Sequence, residues 1–229
     1  NCIVCDETKT VRPAINRNAT DGDEEEKRAH TDVKTHRKSI RGYKYFLIFV
    51  YENSRCVSLY LMKKKSHVTK CTREHLAMAK NSVGCHIVEL RSDNGGEYTA
   101  RSFQSLLKDH GMKWKPSTPR TPEQNSTAER TMRTITTMIR SMLRQADMKN
   151  GHWCYAAEAA AHLHNRSHHS ALDCNKTPCE LHEGRKPNAS NLVAFGSIGV
   201  AHTDKARRSS PLAKRGQHVR MLGCHPRHG

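Results

Sequence analysis

Three acidic residues carry the chemistry this sequence could perform. Asp93 stands in R-S-D-N-G-G-E-Y, residues 91–98, directly after the apolar run I-V-E-L. Glycines beyond it let the backbone turn sharply or admit a ligand. Ligands of α/β sheets collect outside the carboxyl ends of strands. Alone, an aspartate in that place reads as a turn residue or a helix cap. Two other acids change its company. Thirty-five residues separate it from Glu129, on the first turn of an expected long helix and just off its apolar stripe. Sixty residues separate Asp93 from Asp32, which stands inside the strand-like stretch R-A-H-T-D-V-K. Three carboxylates converging on one sheet repel one another unless a counter-charge is present. Hard divalent cations with oxygen ligands, Mg²⁺ above all, supply it. Two such ions roughly 4 Å apart can clamp the attacking and leaving oxygens of a phosphodiester displacement.

The elements that must position these acids follow from the apolar pattern. Residues 28–34 have apolar side chains only at Ala29 and Val33 and make a faint strand. Y-K-Y-F-L-I-F-V-Y (43–51) is aromatic, β-branched and apolar, a clear strand. E-N-S turns the chain into a third strand, R-C-V-S-L-Y-L-M (55–62), so the three predict an antiparallel meander. A helix is expected from an N-cap at Ser66, burying Val68, Cys71, His75, Met78 and Ala79 and ending at Gly84. H-I-V-E-L-R (86–91) is a fourth strand, expected parallel to its predecessor because a helix joins them. Phe103, Leu106, Leu107 and His110 fit one face of a helix stopped by Gly111, and M-K-W-K-P-S (112–117) is a fifth strand. Three prolines within 116–122 demand a loop. The long helix after it shows a stripe of Ala128, Met132, Ile135, Ile139, Met142 and Ala146, and residues 153–165 form a further Ala-rich helix. Stretches 191–201 and 218–223 again look like strands.

Charge points to the partner. Thirty-nine Lys+Arg against twenty-two Asp+Glu give +17, beyond the roughly 2–8 that keeps a small domain soluble. Such a surplus favours a polyanion, nucleic acid first and an anionic membrane surface second. No apolar run approaches the roughly 20 residues needed to cross a bilayer. Nine cysteines, an odd count in a chain too long for a disulfide scaffold, fit a reduced, intracellular protein. Residues 201–229 hold seven Lys and Arg against Asp204 alone, suited to salt-sensitive phosphate contact.

S-D-N-G-G-E-Y, the loop T-P-E-Q-N-S-T-A-E-R and the spacing of Asp32, Asp93 and Glu129 together resemble the catalytic core of retroviral-type integrases, the copia-type LTR retrotransposons in particular. K-Y-F-L-I-F-V-Y-E-N-S-R, H-N-R-S (164–167), K-T-P-C-E-L (176–181), G-R-K-P (184–187) and L-V-A-F-G-S (192–197) extend the resemblance over nearly the whole chain. It implies an α/β, RNase H-like fold: a five-stranded mixed sheet with helices on both faces, then a small β-rich, SH3-like module. The implied division is a zinc-region remnant and linker over 1–27, a catalytic core over 28–190, and an incomplete basic module over 191–229. It implies 3′-end processing and strand transfer of DNA, with Asp32 shared by two Mg²⁺ (or Mn²⁺) ions and Asp93 and Glu129 completing one site each. It also implies DNA as partner, a homo-oligomer in the active assembly, and a nuclear destination by way of a cytoplasmic virus-like particle.

Gln124 and Asn125, in the loop before Glu129, could bond phosphates or base edges, or cap the helix. Arg130 and Arg133 beside Glu129 could contact DNA, or Arg133 could pair with the glutamate four residues before it. Cys2 and Cys5 make a C-x2-C pair that the resemblance reads as half of a His-His-Cys-Cys zinc site; without its histidines, zinc is not expected here. Lys63 to Lys65 read as a polar turn. The chain departs from the family pattern at Glu52–Asn53, Ser126, Met132 and Tyr155. Two further readings stay open: a nucleic-acid-binding relic without turnover, and a nuclease acting on RNA–DNA hybrids.

Overall fold

A computed structural model describes residues 28–83, 86–117, 126–172, 175–190, 192–204, 206, 209–210 and 214–223. Cys2, Cys5, Gln124, Asn125 and Gly84 lie outside the described residues. Five strands make one mixed sheet: β1 Arg28–Thr35, β2 Tyr45–Tyr51, β3 Val57–Met62, β4 Glu89–Ser92 and β5 Lys113–Pro116, in the order β3-β2-β1-β4-β5. β1, β2 and β3 form the expected antiparallel meander. The fourth strand runs parallel as expected, but its neighbour is β1 rather than β3. The faint first strand is therefore the centre of the sheet.

Helices cover both faces. Helix α1 (Val68–Val83), the short turn α2 (Gly96–Thr99) and α3 (Arg101–Asp109) lie on one face. There Val68, Cys71, Leu76, Tyr98, Phe103 and Leu107 pack on Ala29, Leu47, Phe49 and Leu90. Helices α4 (Ser126–Gln145) and α5 (Trp153–Arg166) lie on the other. There Met132, Ile135, Ile139, Leu143, Trp153 and Ala157 pack on Phe46, Ile48 and Val50. A six-residue helix, α6 (Pro178–Glu183), starts on a Thr177 hydroxyl cap, and a hairpin of β6 (Ile198–His202) and β7 (Gly216–Arg220) follows.

Some expectations shift by part of a turn. Ser66 sits inside a 3-10 turn, Lys65–His67, and α1 begins after it rather than on its hydroxyl. Met78 is 45% exposed. The buried face of α1 is Val68, Cys71, Thr72, His75, Leu76 and Ala79; Leu76 and Thr72 widen it on one flank, and Met78 falls off the other. His110 is exposed because it follows the last residue of α3. Gly111 (φ +64) supplies the left-handed turn into β5. On α4, Leu143 is buried where Met142 is only half-buried.

The hairpin rests on the far end of α4. The Arg220 guanidinium donates to the Ala146 carbonyl at 2.7 Å. Gly196 (φ +83) presses so close to Ala146 that a Cβ there would collide with the Ala146 Cβ.

Candidate active site

Strand register brings two of the three acids together. β1 and β4 pair in parallel with His30 opposite Arg91; continued two residues along both strands, that register brings Asp32 level with Asp93, just past the end of β4, and the Asp93 charge acts on Asp32. Side chains alternate across a strand. Thr31 and Val33 face the α1/α3 side, where Thr31 meets the Tyr98 hydroxyl at 3.4 Å and Val33 packs against the core. Asp32 therefore faces the α4 side, opposite Ile48. Glu129 arrives there on the exposed side of the first turn of α4, next to the fully buried Ala128.

Electrostatics reports how near the three are. The half-buried Asp32 carboxyl is pushed up to about 6. Burial is the main cause; the Val33 amide partly offsets it, donating to Asp32 Oδ1 at 2.7 Å. The negative charges of Asp93 and Glu129 each push further, and only Lys34 pulls the other way among the charges. Yet among the described residues no three His, Cys, Asp or Glu side chains close around one point at metal-binding range. The acids are near enough to repel and are not gathered into a finished cage. Asp93 and Glu129 are both exposed. Three carboxylates, the half-buried one with acids outweighing Lys34 among its charged neighbours, fit a hard divalent cation in donor chemistry.

Asp93 is held from below. Its Oδ1 accepts from the Gly95 amide at 3.1 Å, the turn geometry expected of an aspartate before glycine. The Trp114 indole donates to the Ser92 hydroxyl at 2.9 Å, which donates to the Asp93 carbonyl at 2.8 Å. The Ser117 amide bonds the Ser92 carbonyl at 2.8 Å and fixes the exit of β5 beside the site. A fourth carboxylate escaped the sequence reading. A Cβ added to Gly95 would lie 3.1 Å from both Asp93 Oδ1 and Glu97 Oε2. Two carboxylates converge on that position, so any larger residue would have to displace them. Glu97 is in turn bound by Lys65 at 3.1 Å. Its signal was in the motif itself, four residues after Asp93. Tyr98 beneath is also part of the base: burial holds its phenol well above the ordinary range, and the charges of Asp32, Asp93 and Glu97 add to that.

The arginines beside Glu129 behave differently from each other. Arg130 folds back and donates to the Ser126 carbonyl at 3.1 Å and the Ser126 hydroxyl at 3.2 Å, tying down the first turn of α4. Arg133 is exposed, and no ion pair joins it to Glu129 among the described residues. Arg55, at φ 58 in the β2–β3 turn, reaches the Thr127 hydroxyl at 3.3 Å.

Residues 23–122 match the family described as Integrase core domain. The chain is 36% identical over 172 residues to the Retrovirus-related Pol polyprotein from transposon TNT 1-94 of Nicotiana tabacum. The chain carries an integrase core domain. A second relative, the Retrovirus-related Pol polyprotein from transposon RE2 of Arabidopsis thaliana, is 34% identical over 158 residues. These alignments cover 75% and 69% of this chain but 13% and 11% of the relatives, so the chain spans a small part of their length. Solved integrases share the fold. The catalytic core domain of HTLV-2 integrase, described as in complex with magnesium and trimeric, matches with TM-score 0.51 and 19% identity. That match covers 69% of this chain and 96% of that one. The simian T-cell lymphotropic virus intasome, in complex with PP2A regulatory subunit B56 gamma, matches with TM-score 0.57 and 18% identity, covering 84% and 68%. The RNase H-like sheet with helices on both faces is thus the integrase core fold. No described helix is long and apolar enough to cross a membrane.

Proposed function

We propose that this integrase domain trims and joins DNA ends, a polynucleotidyl transfer using divalent metal. The observation that carries the reading is the raised Asp32 carboxyl, with Asp93 and Glu129 as its acidic neighbours at the open end of β1 and β4. Asp32, Asp93 and Glu129 are the residues that would hold magnesium, which when bound supplies Lewis-acid polarisation of a phosphodiester and acidifies an attacking water or 3′-hydroxyl. The chain's own parts prepare that site. The Gly95 amide and the Trp114–Ser92 relay orient Asp93, and Val33 orients Asp32. Arg130 steadies the turn that presents Glu129. Arg133, exposed one turn further along α4, suits a phosphate oxygen, and Gln124 and Asn125 belong to the loop that leads into that turn.

DNA as substrate is supported by the charge of +17 and by the kinship. Joining two ends calls for more than one copy of the chain, and the trimeric HTLV-2 core and the simian intasome are assemblies of relatives. Joining to chromosomal DNA would require the protein to reach the nucleus, its proposed destination. A core over 28–190 and a small basic module over 191–229 remain the proposed division, with the Arg220–Ala146 contact as their joint. The second reading, a binding relic without turnover, is favoured by the absence of a closed three-ligand cluster among the described residues. A strand-transfer assay with Mg²⁺ on the wild type and on Glu129→Gln decides between them. Joined product from the wild type alone supports the transferase. None from either, with DNA binding intact, leaves the relic.

A further inference from the structure

The lysines that the sequence offers as a plain polar turn form part of something more ordered. The loop 36–44 leaves β1 at the same end of the sheet as Asp32 and is locked from all sides. The His36 amide donates to the Lys44 carbonyl at 2.7 Å, and the Ser39 and Gly42 amides close the loop on Tyr43 and Ser39 at 2.8 and 2.9 Å. The buried Ser39 hydroxyl accepts from the Tyr43 amide at 3.0 Å. Two bonds pin the loop to the α4–α5 junction: the Ile40 amide to the Gly151 carbonyl at 2.9 Å, and the Trp153 indole to the Arg37 carbonyl at 2.8 Å. Arg41 is occupied by Glu158 and by the rings of Tyr43 and Tyr155.

What this rigid loop displays is positive charge without partners. Lys38 and Lys44 from the loop, and Lys63 and Lys64 from the end of β3, are all exposed. None of the four makes an ion pair among the described residues. At Gly42 (φ +84), the Cε atoms of Lys63 and Lys38 lie 3.7 and 3.9 Å from the place a Cβ would take, so two ammonium arms are folded over one turn. Like charges gathered over one turn repel, and a phosphate between them offsets the repulsion. Lys34 links this shelf to the acids: it lies two residues beyond Asp32 on the same face, exposed, and its charge reaches Asp32. The loop starts four residues past Asp32, roughly 13 Å along the strand at about 3.3 Å per residue. A duplex whose scissile phosphate sits at the acids would lay neighbouring phosphates along Lys34 and the shelf.

We infer that Lys38, Lys44, Lys63 and Lys64 form a preorganised, sequence-independent clamp for the backbone of duplex DNA entering the site. The inference rests on the DNA-joining reading for its ligand, but its test reads binding rather than joining. Binding of a labelled duplex of 30 base pairs is measured from 50 to 300 mM salt, with the full chain. The variant Lys38→Gln/Lys63→Gln/Lys64→Gln is compared with Lys70→Gln/Lys80→Gln/Lys108→Gln, which removes the same charge from exposed positions on α1 and α3. Each lost phosphate contact lowers the slope of log K against log salt by about 1. The shelf variant is expected to lose about 2–3 from the slope, equally for two unrelated duplex sequences, while the control loses less than about 1. Equal losses in both variants would reduce the shelf to net charge and overturn the proposal. So would an unchanged slope, no duplex binding by the wild type at 50 mM salt, or a loss confined to single-stranded RNA of equal length. Matching melting temperatures exclude misfolding. If the slope falls as expected but the wild type joins no ends, the clamp stands and the transferase reading fails. If ends are joined with the slope unchanged, the clamp alone fails.

Discussion

Strands β1 and β4 carry acids on one face at two places, and the two places are built on opposite terms. At the amino ends, Glu89 receives Arg91 at 2.7 Å and Lys115 at 2.8 Å, with Arg28 at 4.0 Å. Arg91 extends to Glu52 at 3.6 Å, and Glu52 stands 3.6 Å from the buried His30. Burial would raise the Glu89 carboxyl, but the hydrogen bonds from Lys115 and Arg91, and their charges, outweigh it and hold Glu89 below its ordinary value. Four residues further along from the Arg28–Glu89 pair, Asp32 has acids for neighbours and is raised to about 6. Carboxylates matched by bases stabilise a fold; carboxylates crowded without bases cost stability and persist where a cation is to be held. The contrast separates a structural network from a candidate site on one pair of strands.

The largest effect should come from breaking the unmatched end. Glu129→Gln and Asp32→Asn should each lower strand joining at least about 10³-fold, as when one member of a group that acts as a unit is lost. Glu89→Gln should leave joining within a few-fold. The sharper form of the test is stability in the absence of divalent metal. Asp32→Asn relieves repulsion and should raise the melting temperature, with each 1 kcal/mol worth roughly 2–4 °C in a chain of this size. Glu89→Gln strands three cations around a buried position and should destabilise by about 1.5–3 kcal/mol. If both variants shift stability in the same direction, the distinction between the two ends is lost.

Acidity sharpens the comparison next. The folded Asp32 binds its proton more tightly than the unfolded chain does, so its contribution to stability is fully present below its ordinary value of 3.8 and is lost as pH rises through about 6. Glu89 has the opposite sign: its contribution is present above the ordinary 4.5 and is lost as acid protonates it below that. His75 sides with Glu89. Fully buried, stacked on Phe49 at 4.0 Å and bonded between the Tyr51 and Tyr60 hydroxyls at 3.2 Å each, it is lowered to about 3, chiefly by burial. Its contribution is present above 6.5 and is lost as pH falls from there towards 3. Urea melts from pH 4 to 7 should therefore show Asp32→Asn gaining on the wild type as pH rises to 6. His75→Phe should flatten the acid loss over the same range. Parallel curves for all three proteins would count against these assignments.

The sequence shows the two ends unequally, and the reasons are geometric. Asp32, Asp93 and Glu129 were legible because spacing and flanking motifs are linear properties. The strong second strand, the long helix and the Ala-rich helix were legible from their apolar periods. The central place of β1 was not. Only Ala29 and Val33 in it are apolar, because one face carries Arg28, His30 and Asp32 while Thr31 is buried as a hydroxyl against Tyr98. The Glu89 network was illegible for a related reason. Glu89 and Lys115 are neighbours only because β4 and β5 pair in parallel with Glu89 opposite Lys113, and register across separate strands leaves no trace along the chain. Glu97 joined the site only once the backbone at Gly95 showed two carboxylates pointing at one spot.

The smallest effect tests how evenly the matched end shares its load. Lys115 contacts Glu89 at 2.8 Å, but its side chain is 58% exposed, whereas Arg91 at 2.7 Å is 22% exposed. Water screens the exposed ammonium and leaves the guanidinium the stronger partner. Lys115→Met should therefore cost only about 0.2–1 kcal/mol, and 0.5 M NaCl should erase most of it. Arg91→Met should cost more and keep its cost in salt, because it removes a partner from both Glu89 and Glu52. Chemical melts of the two variants at low and high salt measure the difference directly. If Lys115→Met proves the costlier and salt leaves it unchanged, Glu89 is held by the outer strand. The matched end then depends on β5, the edge strand, rather than on the β4 arginine next to the candidate site.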